Sequence, residues 1–182
     1  MSNAELVGGK SKDEIKSIDL FVTEQCNMKC DYCFHPKGEA VLSVEQGKKI
    51  LARMKEISPA GLQITFFGGE PLLYPQTVLE LALYARELWP PDKDGRHTST
   101  FSISTNGMYF DEAVFKKFAE LGMAVQVSCD GDEITHTEYR HGDYPRIIEN
   151  IKKILAIKPD MSIRMTFTPK TVGRLAINVQ YL

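Results

Sequence analysis

Five short β-rich runs, Ile18 to Thr23, Leu62 to Phe67, Thr100 to Thr105, Ala124 to Cys129 and Ser162 to Thr168, are separated by stretches with apolar residues at helical spacing. Those stretches run from Val44 to Ile57, Gln76 to Leu88, Glu112 to Leu121 and Arg146 to Ile157. Strands that alternate with helices are joined by crossovers long enough for parallel pairing, so the pattern selects a parallel α/β sheet with helices packed on one side. Ser43 and Asp111 stand immediately before two of the helical stretches, where N-caps are expected.

The strands carry a second signal, because several of them are polar on one face. Ser102 and Ser104 alternate with Phe101 and Ile103, Gln126 and Ser128 with Val125, Val127 and Cys129, and Ser162, Arg164, Thr166 and Thr168 with Ile163, Met165 and Phe167. A closed barrel core is filled by branched apolar side chains. With the apolar face under the helices, the polar face lines a wetted or ligand-filled lumen, since unpaired buried polar groups are costly. The expected architecture is therefore an open, partial parallel β/α barrel around a polar ligand. Cys129 falls on the helix side as a small core residue.

Ligands of parallel α/β proteins bind at the carboxyl ends of the strands. Here the first strand is followed by Cys26, Cys30 and Cys33, the second by Gly68-Gly69-Glu70-Pro71, the third by Asn106-Gly107 and the fourth by Asp130-Gly131. The three clustered cysteines have no fourth nearby. A structural zinc takes four protein ligands, whereas three thiolates on a four-iron cube leave one iron open to a group that is not protein.

The 182 residues and their ordinary apolar fraction suit one soluble domain, and a formal net charge of −2 provides no basic field for a phosphate backbone. No apolar signal core or spanning segment is present, so a cytoplasmic location away from membranes is expected, with nucleic acid disfavoured as a partner. Clustered thiols in a reducing compartment favour metal binding over disulfides.

The run Cys-x3-Cys-x2-Cys, with Tyr32 before the last cysteine, followed by Gly-Gly-Glu-Pro, resembles the radical S-adenosylmethionine (SAM) superfamily. Ser104-Thr105-Asn106-Gly107 and Val127-Ser128-Cys129-Asp130-Gly131, followed by Arg140, are similar to the SPASM-type branch of sulfatase-maturing and peptide-modifying enzymes. The resemblance covers about Ile18 to Leu182. It implies Cys26, Cys30 and Cys33 as ligands of a [4Fe-4S] cluster whose open iron chelates SAM. It also implies Tyr32 beside the adenine, and Gly68, Gly69 and Glu70 as the segment that receives the methionine amino group. Ser128 and Arg140 match a pair that contacts SAM in such relatives, with Arg140 the first partner for its carboxylate and Arg164 a competitor. Ser104, Asn106 and Asp130 complete the implied cofactor contacts. The implied chemistry is reductive cleavage of SAM to a 5'-deoxyadenosyl radical that takes hydrogen from a substrate, with peptide or protein side chains the first substrate class. A flavodoxin or ferredoxin is the implied electron donor.

Other readings of the same residues stand beside these. The cysteines could form a zinc site completed by His35 or by a residue outside the chain, or an iron-sulfur module without catalysis, and the substrate could be a small molecule of cofactor assembly. Gly68-Gly69 could be a strand-to-helix connection, and Ser104, Asn106, Ser128 and Asp130 could serve turns and caps. Arg164 could pair with Asp19. Asp130 or His136 could act as an acid or base, although His97, His136 and His141 read as loop residues. Residues 1–17 read as an extension in which Ser2-Asn3-Ala4 is a cloning remnant, and 18–182 as the core. Thr171 to Leu182 reads as the start of a helix after the fifth strand, so about five of six β/α units are expected and the chain as a fragment that stops before a sixth strand.

Overall fold

A computed structural model describes residues 15–35 and 37–181. Most of the N-terminal extension thus lies outside the described residues. Strands β1 (Ser17–Phe21), β2 (Leu62–Phe67), β3 (Ser99–Thr105), β4 (Ala124–Ser128) and β5 (Ser162–Arg164) form one sheet in the order β1-β2-β3-β4-β5. Every neighbouring pair is parallel, with Ile18 opposite Ile64, Ile64 opposite Phe101, Ile103 opposite Val125 and Val127 opposite Ile163. This register aligns one apolar face across all strands. The opposite face aligns Thr65 with Ser102, Ser104 with Gln126 and Ser128 with Arg164.

The apolar face is covered by α1 (Val44–Ile57), α2 (Pro75–Leu88), α3 (Glu112–Glu120) and α5 (Tyr144–Ile157). Leu51, Leu81, Phe115, Phe118, Ile147 and Ile154 are fully buried with Ile64, Phe66 and Ile103. Each such side chain contributes about 1.5–3 kcal/mol on leaving water. Helix α1 begins with a reciprocal capping box between Ser43 and Gln46, and Asp111 caps α3 through Val114 N–H. No helix among the described residues is long and apolar enough to cross a membrane.

Three local expectations are corrected. Strand β1 starts at Ser17 and ends at Phe21, and Thr23 instead forms an isolated antiparallel bridge with Val41. Strand β5 stops at Arg164 rather than Thr168, because the next segment turns inward and Thr166 N–H donates to the Asp130 carboxylate at 2.9 Å. His136 does not lie in a loop. It sits in α4 (Glu133–Arg140), a helix the apolar periodicity does not reveal, capped by the Asp132 side chain on Thr135 N–H. A last helix, α6 (Leu175–Gln180), follows a short 3₁₀ turn at Val172–Arg174. It is tied to the start of α4 by Arg174 with Asp132 and by Asn178 Oδ1, which accepts from Asp132 N–H at 3.3 Å.

Candidate functional site

The carboxyl ends of the strands surround a cavity of about 240 Å³ on the polar face of the sheet. Cys26, Cys30, Cys33, Tyr32, Gly68, Gly69, Ser104, Asn106, Ser128, Arg140 and Arg164 all border it. The cysteines occupy the segment between β1 and α1, whose ends are drawn together by Leu42 N–H to Val22 O at 2.8 Å and Glu24 N–H to Ala40 O at 2.9 Å. The Gly68-Gly69 turn lies against this segment: Gly69 N–H donates to Thr23 O and Glu70 N–H to Gln25 O. A Cβ on Gly69 would come within 2.2 Å of Gln25 O, and Gly68 has φ +140°, so the close approach demands glycine at both positions.

Two expected residues stand behind the wall instead of in it. Glu70 is buried, its Oε1 accepting from Leu72 N–H at 2.9 Å and the Thr105 hydroxyl at 2.8 Å, its Oε2 from Asn106 N–H at 2.7 Å. Burial pushes its carboxyl up to about 7 despite these bonds. Asp130 is likewise buried and accepts from three donors. Arg140 approaches it with Nη2 3.0 Å from Oδ1 and Nε 2.9 Å from Oδ2, Thr166 N–H meets Oδ1, and the Tyr32 hydroxyl donates to Oδ2. Neither carboxylate has an oxygen facing the cavity unengaged. Asp130 does not border the cavity, and its oxygens serve the protein.

That ion pair also distinguishes the two arginines. Arg140 borders the cavity with its guanidinium held by Asp130 and its carbon centre 5.3 Å from the Tyr32 ring centroid. Arg164 borders the cavity exposed, with no ion-pair partner among the described residues, and Asp19 lies on β1 at the opposite edge of the sheet. Of the two arginines that border the cavity, Arg164 is the one without an ion-pair partner among the described residues. His136 is buried beside this cluster, its Nδ1 accepting from Asp130 N–H at 3.3 Å. Burial, reinforced by Arg140, pushes its pKa down to about 4, so it is neutral at pH 7 and does not border the cavity.

The opposite wall is aromatic, a feature the sequence reading missed. His35 packs 4.7 Å from the Phe67 ring, 5.3 Å from Phe21 and 4.1 Å from Phe34. The alternation along β1 and β2, which points Phe21 and Phe67 to the polar face with Asp19 and Thr65, was the available signal. His35 is thus engaged by rings. Among the described residues no three Cys, His, Asp or Glu side chains gather closely enough to hold a single metal ion. Three thiols spread around one cavity fit separate irons of a cluster better than one tetrahedral zinc. Burial raises the pKa values of Cys26 and Cys30, opposed at Cys30 by Arg140.

An open parallel β/α sheet with a thiol-lined cavity at its carboxyl rim defines a partial β/α barrel protein with a ligand site at its mouth. The chain belongs to the radical SAM superfamily, which it matches over residues 20–173. It is 36% identical over 119 residues to the S-adenosylmethionine-dependent nucleotide dehydratase RSAD2 of Danio rerio, covering 63% of this chain and 30% of that protein. It is 36% identical over 136 residues to Fe-coproporphyrin III synthase of Methanosarcina barkeri, covering 71% and 31%. It is 28% identical over 121 residues to a serine-type anaerobic sulfatase-maturating enzyme of Klebsiella aerogenes, covering 63% and 29%. Among solved structures, native anSMEcpe with bound AdoMet and Cp18Cys peptide superposes with a TM-score of 0.79 at 21% identity, over 92% of this chain and 47% of that one. The chain spans about a third of the length of these curated relatives.

Proposed function

We propose that Cys26, Cys30 and Cys33 hold a [4Fe-4S] cluster with an open iron, and that the cavity beside them binds SAM for radical chemistry. The observation that carries this reading is the convergence of the three thiols, Tyr32, the Gly68-Gly69 turn, Ser104, Ser128 and an unpaired Arg164 on one cavity. When bound, the cluster and SAM supply a 5'-deoxyadenosyl radical that takes hydrogen from a substrate. The chain's own part is to bind, orient and shield. Arg164 offers the carboxylate of SAM a charge-assisted partner, Ser104 and Ser128 offer hydroxyls, and the ring of Tyr32 is fixed by Asp130. Arg140 orients Asp130 and the ring, and Glu70 fixes the turn after β2.

The substrate class we assign is a peptide or protein side chain, supported by the bound peptide of the anSMEcpe structure and by the sulfatase-maturating relative. An acidic one-electron donor such as flavodoxin or ferredoxin completes the scheme. A small-molecule substrate is the second reading, favoured by the higher identity to the nucleotide dehydratase and the coproporphyrin enzyme. Against a nucleoside triphosphate stands the charge of the cavity, where among the described residues Arg140 is paired with Asp130 and Arg164 is the arginine left unpaired.

Anaerobic reconstitution with iron and sulfide, followed by SAM titration, tests the core of the proposal. It expects about four irons per chain and a change in the reduced cluster's electron paramagnetic resonance on adding SAM. Bound zinc with no response to SAM would sink it. Peptide and nucleotide pools can then be compared for stimulated 5'-deoxyadenosine release.

A further inference from the structure

Asn106 terminates β3 at the cavity wall and is only 8% exposed. We infer that it is a positioning residue that donates a hydrogen bond to Cys26 Sγ and so raises the reduction potential of the cluster, with Glu70 holding it in place. This rests on the cluster reading above, and replaces the contact with SAM that the family resemblance implies for Asn106.

The side-chain amide has one orientation that satisfies its neighbours. Its Oδ1 accepts from Met108 N–H at 3.0 Å, and its Nδ2 lies 2.7 Å from Asn27 Oδ1 and 3.8 Å from Cys26 Sγ. A flipped amide would set nitrogen against the Met108 donor and oxygen against the Asn27 acceptor. The backbone beneath is fixed by Asn106 N–H to Glu70 Oε2 at 2.7 Å, and the other Glu70 oxygen is pinned by Thr105 and Leu72. Cys26 Sγ also receives Met28 N–H at 3.4 Å. By contrast, the group facing Cys30 Sγ is a carbonyl oxygen, that of Arg140 at 3.7 Å. The ligand sulfurs are therefore unequal: Cys26 meets two donors and Cys30 an acceptor. Donors withdraw charge from a ligand thiolate and favour the reduced cluster.

The test is potentiometric titration of the reconstituted cluster, without SAM, in wild type, Asn106→Ala and Asn106→Asp. N106D keeps the acceptor for Met108 N–H and the backbone donor to Glu70, so the turn survives while the donor to sulfur is lost. The midpoint should move to lower potential in both variants, further in N106D, by about a tenfold change in the reduction equilibrium, ~59 mV for one electron. Iron content should match wild type in both variants, and N106D should still fold cooperatively with a lowered melting temperature, because its carboxylate faces Asn27 Oδ1. An unchanged midpoint with the cluster intact overturns the inference. So does loss of the cluster from folded N106D, because the amide would then hold the ligand loop and not tune the sulfur. If wild type assembles no cluster, the reading beneath fails and this inference with it, a result distinct from the other two.

Discussion

A carboxylate stands behind the cavity wall just beyond each of strands β2 and β4, and the two are stabilised by different means. Among the described residues no cation pairs with Glu70. Two backbone N–H groups and one hydroxyl surround it, and burial lifts its carboxyl to about 7. Asp130 faces a buried guanidinium from α4, plus a backbone N–H and the Tyr32 hydroxyl. The first carboxylate joins adjacent elements, β2 to β3. The second joins the cysteine segment, β4, α4 and the chain beyond β5. Charge is used where more elements must be held, and neutral hydrogen bonds where fewer are.

This contrast can be broken most forcefully at Asp130. Asp130→Ala leaves Arg140 buried without a counter-ion and should lower unfolding free energy by about 3–5 kcal/mol in a denaturant titration at pH 7. The double variant D130A/R140M should recover most of that loss, and a double variant as unstable as the single would show that the pair's charge is not what matters. Glu70→Gln should cost less, about 1–3 kcal/mol, because one amide hydrogen then confronts donors. It also tests the titration. With a folded value of about 7 against an ordinary 4.5, Glu70 keeps its proton where the unfolded chain has lost it. Its contribution to stability is therefore full below pH 4.5 and is lost as pH rises through about 7, at no more than about 1.4 kcal/mol per pH unit. E70Q should flatten that decline, and an unaltered pH profile would place Glu70's proton elsewhere. The smallest effect is expected at Arg164. Arg164→Ala should shift stability by less than about 0.5 kcal/mol yet weaken SAM binding about tenfold, ~1.4 kcal/mol. Equal affinity in wild type and R164A would return the carboxylate to Arg140.

Why one arginine is free and the other committed was not legible in the sequence. Arg140 is ten residues beyond Asp130, and only the turn of α4 brings them together. That helix escaped notice because Thr135, His136 and Thr137 are weak helix formers and its buried side chains are polar. Helix α1 shows the opposite case: its apolar spacing and its Ser43 and Gln46 cap are local, and both its bounds were readable. The same holds for β2. Strand β5 was overextended because alternation continues to Thr168, while β4, its pairing partner, ends at Ser128. Alternation records which way side chains point, not whether a neighbouring strand is still there to pair with. The three thiols and the glycine turn were legible because their spacing is contained in short segments; the engagement of Glu70 and Asp130 behind the wall depends on contacts made across the sheet.

The bonds that close the segment between Val22 and Leu42 have a consequence for chelation. A ligand set scattered along an open chain must lose the entropy of loop closure when it gathers around a guest, and that cost grows with the logarithm of loop length. Here Leu42 to Val22, Glu24 to Ala40 and the Thr23–Val41 bridge close the loop with the protein's own hydrogen bonds. On the cluster reading proposed above, three thiols presented on a loop already shut would act as a multidentate chelator, with binding free energy going into coordination and not into gathering the chain.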